Sequence, residues 1–148
     1  MSLPQEEYIH LRALSYNDSD VFLLCFSVAM PESLTHAQDR WIPEIRKHSP
    51  NTPVILVGTQ IDLRDEAPSR RTSVTSRDPH KNTKGPPVYI ATKEGVNVTS
   101  RLELDSYVEC SSITEAGISR LREAAIESGL RGAGDEDGEG CQCACAIL

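Results

Sequence analysis

Pro53 to Asp62, PVILVGTQID, is the stretch that decides how this chain folds. Val54, Ile55, Leu56 and Val57 form an unbroken apolar run, which suits a strand covered on both faces, as in a parallel sheet. Pro53 opens the run and Gly58 closes it, both residues typical of strand ends. Thr59, Gln60 and Asp62 come next, where a parallel sheet presents its ligand-binding groups, beyond the carboxyl end of a strand.

Asp62 carries the chemistry. An ionised carboxylate only accepts hydrogen bonds, and its two oxygens can take two parallel N–H groups. The ring N1–H and exocyclic amine of guanine form such a pair, and adenine has none. A buried acceptor left unpaired by the wrong base makes such a site selective. Asp62 as a cap for the following turn fits the same four residues equally well.

Outward from this strand, Val21–Val28 (VFLLCFSV) is a second apolar strand, with Cys25 as a small buried residue inside it. Between the two, Pro31-Glu32-Ser33 offers a helix start with Ser33 as N-cap. Leu34, Ala37, Trp41 and Ile45 give that helix one apolar face, and Pro43 predicts a kink. Strand, helix, strand is a βαβ unit with a right-handed parallel crossover. A short third strand is expected at Tyr107–Cys110, and a helix at Glu115–Gly129 stopped by its glycine. Residues 91–104 read as a weak helix interrupted by Gly95. Arg64–Pro87, rich in Ser, Thr, Arg, Lys and Pro, reads as an exposed insertion. Gly132–Gly140 reads as a flexible acidic linker. Ser111 and Ser112 succeed the third strand, beside the loop of Asp62; their main-chain N–H groups can meet a carbonyl such as guanine O6, or Ser111 can cap a helix.

With 148 residues the chain suits one domain, and a net charge of −7 argues against nucleic acid as a partner. No apolar run is long enough to span a membrane, and the first ten residues lack the basic and apolar regions of a signal peptide. The chain is expected in the cytosol with reduced cysteines. Its last four residues, Cys145-Ala146-Ile147-Leu148, match a prenylation pattern with geranylgeranyl favoured at Cys145. One lipid chain holds a membrane weakly, and the acidic stretch Asp135–Glu139 would be repelled by anionic lipid. Cys141 and Cys143 are therefore the candidates for a second anchor by palmitoylation; the Cys-x-Cys-x-Cys spacing and the absence of a nearby His fit zinc less well.

Taken together, these pieces resemble a Rho-family small GTPase of the Rac and cell-division-control type. The resemblance runs through Gln5–Tyr16, Val21–Ser33, Trp41–Arg46, NTPVILVGTQIDLRD (Asn51–Asp65), YVECSSIT (Tyr107–Thr114) and the C-terminus. It implies an α/β fold: part of a P-loop-GTPase-type, Rossmann-like parallel sheet, three strands with flanking helices over residues 1–130, an insertion at about 64–87, and a tail at 131–148. It implies GTP or GDP as ligand, with Thr59, Gln60, Asp62 and Leu63 and then Ser111, Ser112 and Ile113 around the guanine base. Gln60 stands where many relatives have Lys, and Ser112 where Ala is usual. Gln5 matches the glutamine that orients the attacking water. Tyr8–Tyr16 matches switch II, a surface for exchange factors, GTPase-activating proteins and effectors, with Ile9, His10 and Ala13 departing from the pattern. The family signals to the actin cytoskeleton from the cytoplasmic face of membranes, through its lipid anchor.

The departures are large. Gly-x-x-x-x-Gly-Lys-Ser/Thr, the phosphate-binding loop, occurs nowhere in the chain, and switch I with its Mg²⁺-binding Thr is missing. Met1–Pro4 reads MSLP where the family has Asp-x-x-Gly. The expectation is an N-terminally truncated domain, or an incomplete gene product, that keeps base-binding, water-orienting and anchoring parts. It lacks the groups for phosphates and Mg²⁺ that dominate phosphoryl-transfer catalysis. The same reasoning expects the edge of the Val21–Val28 strand to be bare and the fold marginally stable.

Overall fold

A computed structural model describes residue 16 and residues 19–65, 88–132 and 146–147. Strand β1 (Phe22–Ser27) leads into helix α1 (Pro31–His36), a π-helical turn (Ala37–Trp41) and α2 (Ile42–His48). Strand β2 (Val54–Thr59) is succeeded at once by α3 (Ile61–Asp65). Then come α4 (Thr92–Arg101), β3 (Ser106–Glu109), α5 (Ile118–Gly132) and a two-residue strand β4 (Ala146–Ile147). The strands lie in the order β3-β2-β1-β4, each pair parallel. The fold is the expected mixed α/β architecture, three parallel strands with flanking helices, with β4 added at the edge.

The unbroken apolar runs arise from cover on both faces. Along β1 and β2, alternate side chains enter different cores. Phe22, Leu24 and Phe26 join Val54 and Leu56 on one face, beneath Leu34, Ala37, Ile42 and Ile45 of the crossover and Val98 of α4. On the other face Leu23, Ile55, Val57 and Val108 pack against Leu121, Ala124 and Ala125 of α5. Residues 121, 124 and 125 recur at helical spacing, so α5 needs only one narrow stripe to cover the sheet. Tyr16 closes the lower end of the first core, edge-on to Phe22, with its hydroxyl donating to Glu44 Oε1 at 2.9 Å.

The kink expected at Pro43 takes the form of the π turn before it. Proline has no N–H to offer a carbonyl one turn back, and its ring crowds that carbonyl. The helix widens there, with the Ile42 N–H reaching Ala37, five residues back. Ser33 does not cap α1, whose start has no side-chain cap. Its hydroxyl instead accepts the Ser27 N–H at 3.0 Å and donates to the Met30 carbonyl at 2.6 Å, which ties off the end of β1. The edge of β1 is not bare as the sequence suggested: Phe22 and Leu23 pair with Ala146 and Ile147.

Gly95 interrupts α4 in sequence but is indispensable in space. A Cβ there would lie 2.2 Å from the Tyr107 ring, so only glycine lets this helix settle on β3. The helix is nevertheless three residues shorter at its C-terminal end than its apolar pattern suggested, ending at Arg101, because Glu103 takes a positive φ of 50° and turns the chain towards β3.

Candidate functional site

The three long strands end side by side, and the turns at their carboxyl ends build the site. Thr59, the last residue of β2, donates through Oγ1 to the Phe26 carbonyl at 2.9 Å, locking the strand ends together. Gln60 then takes a left-handed backbone (φ 63°), which swings the chain directly into α3. Its side chain stays exposed and accepts a hydrogen bond from the Ser27 hydroxyl. The Leu63 N–H donates back to the Gln60 carbonyl at 3.1 Å. This tight turn buries Asp62 in the first turn of α3, at 7% exposure.

Ser111 arrives from the neighbouring strand. The Cys110 N–H extends the β2–β3 ladder by donating to the Gly58 carbonyl at 2.8 Å, and Ser111 comes next, fully buried. Its hydroxyl donates to Asp62 Oδ1 at 2.5 Å. Ser111 Oγ also accepts the N–H groups of Ile113 and Thr114 at 3.2 and 3.3 Å. The Ser111 N–H donates to the Ala116 carbonyl at 2.9 Å, closing a small loop over residues 111–116. Gly117 leaves that loop at φ +73°, where a Cβ would sit 2.0 Å from the Glu109 carbonyl oxygen.

The structure therefore brings Asp62 and Ser111 into contact and sets Thr59, Gln60 and Leu63 beside them. Ser112 and Ile113 lie exposed on the rim, Ile113 at 79%. An apolar side chain so exposed is not part of the core and is available to a flat apolar surface. Among the described residues Ser111 is the hydrogen-bond partner of the Asp62 side chain, while a carboxylate has roughly four lone-pair positions. Among the described residues the pair thus keeps acceptor positions that no other group fills. Gln5, Tyr8, Cys141, Cys143, Cys145 and most of the insertion lie outside the described residues.

A second polar cluster, not anticipated from sequence, is built on the same helix and strand. Arg64, expected as the first residue of an exposed insertion, sits in α3 and donates both Nη groups to Glu109 of β3, at 2.8 and 2.7 Å. The Tyr107 hydroxyl donates to Glu109 Oε1 at 2.8 Å, and Thr92 Oγ1 to Oε2 at 3.1 Å. Arg64 also donates to the Ile90 carbonyl at 3.2 Å. The hydrogen-bonded guanidinium holds the Glu109 carboxyl below its usual range against the opposing effect of burial. Burial, and then the bond to Glu109, push the Tyr107 phenol above its ordinary value. Burial likewise pushes the Cys110 thiol up. One part of the cluster was visible in sequence: Tyr107 and Glu109 are two apart in a strand and so share a face.

A family model for the Ras family matches residues 4–130. The chain belongs to the Ras family. That match spans all the described elements except the end of α5 and β4, and it makes the protein a small GTPase by kinship. The Ras-family assignment is consistent with GTP or GDP, with Mg²⁺, as ligand. The donor set fits the base of such a nucleotide: a buried carboxylate, oriented by a serine hydroxyl, with acceptor capacity left over. Among the described residues no group of three or more His, Cys, Asp or Glu side chains is placed to hold a metal ion.

Proposed function

We propose that this Ras-family chain is of the Rho branch and that the Asp62–Ser111 pair reads the guanine base of GTP or GDP. The observation that carries the reading is the 2.5 Å hydrogen bond between two buried side chains delivered by different strands. Ser111 fixes one oxygen of Asp62, leaving the carboxylate to receive the N1–H and exocyclic N–H of guanine. Gln60 and Leu63 would flank the ring, with Ser112 and Ile113 at its rim. The Rho assignment is supported by NTPVILVGTQIDLRD and the Cys145-Ala146-Ile147-Leu148 terminus. In this reading the protein signals with exchange factors, GTPase-activating proteins and effectors at the cytoplasmic face of membranes. Gln5 then matches the family's water-orienting glutamine.

The 148 residues contain no Gly-x-x-x-x-Gly-Lys-Ser/Thr, so they supply the base contacts without the phosphate contacts. This chain is accordingly expected to hydrolyse no GTP and to bind GDP weakly; sub-micromolar binding of a fluorescent GDP analogue in Mg²⁺ would contradict it. Base selectivity should persist. In amide NMR titrations GDP is expected to shift the residues around Asp62 and Ser111 at concentrations about tenfold or more below ADP, the cost of one unpaired buried acceptor. Asp62→Asn replaces an acceptor by a donor and should abolish that preference in favour of a base with a carbonyl at the same edge, such as xanthine. Equal responses to GDP and ADP would favour the second reading, a non-catalytic, membrane-tethered interaction module, which the missing phosphate loop supports.

No helix among the described residues is long and apolar enough to cross a membrane, so attachment in this proposal rests on lipid at Cys145, with Cys141 and Cys143 as second sites. Cys145→Ser is expected to move the protein from the membrane to the cytosolic fraction. An unchanged distribution would count against the anchor.

A further inference from the structure

The carboxyl end of β1 also reaches the site. Ser27 is the last residue of that strand and pairs in register with Thr59, one residue before the turn at Gln60. The Ser27 hydroxyl donates to Gln60 Oε1 and accepts the Ala29 N–H at 3.2 Å. Its main chain is held in turn: the Ser27 N–H donates to Ser33 Oγ at 3.0 Å, and the Ser33 hydroxyl donates to the Met30 carbonyl at 2.6 Å. A serine hydroxyl has one proton to give. With the Ala29 N–H on its acceptor side, Ser27 gives that proton to Gln60. The Gln60 main chain is fixed as well, at φ 63° with the Leu63 N–H on its carbonyl. Gln60 is thus held at both ends of its side chain, by its own turn and by β1.

We propose that Ser27 is a positioning residue for the nucleotide base: it holds the Gln60 side chain across the carboxyl ends of β1 and β2, ready to flank the ring. This rests on the reading of Asp62 and Ser111 as the base-binding pair. A glutamine side chain is rich in rotamers, and a ligand that has to immobilise one binds more weakly for it. Ser27 immobilises it beforehand. The hold is on the amide oxygen, which leaves the apolar stem for the ring face. A lysine ammonium has no acceptor for the Ser27 proton, so this arrangement belongs to glutamine. Every base has a flat face, so the contact adds affinity without choosing guanine, and the choice stays with Asp62.

Relaxation of the Gln60 side-chain amide nitrogen, and GDP and ADP titrations followed by amide NMR, test this on the full chain. The variants are Ser27→Ala, Ser27→Thr, Gln60→Met and the double variant Ser27→Ala with Gln60→Met. Without nucleotide, the Gln60 amide nitrogen is expected to be rigid in the native chain, mobile in Ser27→Ala and rigid again in Ser27→Thr. Ser27→Ala should weaken the GDP and ADP responses alike, by about threefold to tenfold, the worth of one neutral hydrogen bond, and Ser27→Thr should restore both. In the Gln60→Met chain, whose thioether is at most a weak acceptor, Ser27→Ala should change neither response. Val57, between β2 and β3, should keep its amide protection throughout and so reports an intact fold. A Gln60 amide equally rigid in Ser27→Ala, or an undiminished nucleotide response, would overturn the proposal. So would an equal loss from Ser27→Ala in the Gln60→Met chain. Equal responses to GDP and ADP in the native chain would instead overturn the base reading of Asp62, while the loss in Ser27→Ala would still report on Gln60.

Discussion

Asp62 and Glu109 are carboxylates at the same end of the sheet, and their surroundings differ sharply. Glu109 receives two bonds from Arg64, one from Tyr107 and one from Thr92, which fill its acceptor positions. Asp62 is buried too, yet among the described residues its side chain receives one, from Ser111. A saturated carboxylate is a brace: it joins α3, α4 and β3 and has nothing left for a ligand. An unsaturated one, oriented by a neighbour at the lip of the strands, is where a ligand can still gain by binding. The difference teaches that burial alone does not mark a binding residue in this molecule; unused hydrogen-bonding capacity does.

If the brace and the lip are separable, damage to the first should lower stability and spare base preference. The largest effect is expected from Gly95→Ala, because its methyl would meet the Tyr107 ring at 2.2 Å and push apart the helix and strand that Glu109 joins. Overpacking of this kind against a ring should cost about 3 kcal/mol or more in urea unfolding. A cost below about 1 kcal/mol would mean that α4 shifts freely and that the brace is loose.

Glu109→Gln comes next. It removes the bidentate charge partner of the Arg64 guanidinium, whose side chain is 22% exposed, and leaves the more exposed Asp65 carboxylate, 3.4 Å from Nε, as its remaining ion pair among the described residues, at a cost of about 2 kcal/mol. The pH dependence has a fixed sign. The folded-state pKa of Glu109 is depressed, so its contribution is present above the ordinary value of 4.5 and is lost as pH falls through the lower folded value. Unfolding free energy of the native chain should therefore drop more steeply below about pH 4.5 than that of Glu109→Gln. Parallel curves would remove Glu109 as the acid-sensitive group. The ratio of GDP to ADP response should be the same in both proteins.

Ser111→Ala should give the smallest loss of stability, about 1–2 kcal/mol, since it removes one donor to Asp62 and one acceptor for two main-chain N–H groups. Its effect on base preference should be the greatest of the three, because the Asp62 carboxylate loses its orientation. If Ser111→Ala cost more stability than Glu109→Gln, the roles of brace and lip would be reversed.

Much of this was legible in the chain itself. The apolar runs at Val21–Val28 and Val54–Val57 fixed two-faced parallel strands, because only a strand covered on both sides tolerates unbroken apolar residues. Asp62 and Ser111 were recognisable as strand-end polar groups for the same topological reason. Arg64 was misread, since a basic residue beside a polar stretch gives no local sign of a partner forty-five residues away. Ser33 was misread as a helix cap, since the competing donor and acceptor at Ser27 and Met30 appear only when β1 and α1 are packed.

Sequence by itself thus determined the period of each element, the order of strands and helices, and the residues delivered to the carboxyl end of the sheet. These depend on local hydrophobic pattern and on chain connectivity. Only the tertiary structure decided which carboxylate is filled and which has a single partner among the described residues, why Gly95 must be glycine, and what lies along the side of β1 away from β2. Those depend on contacts between residues far apart in the chain, where distance and hydrogen-bond geometry, rather than residue type, set the outcome.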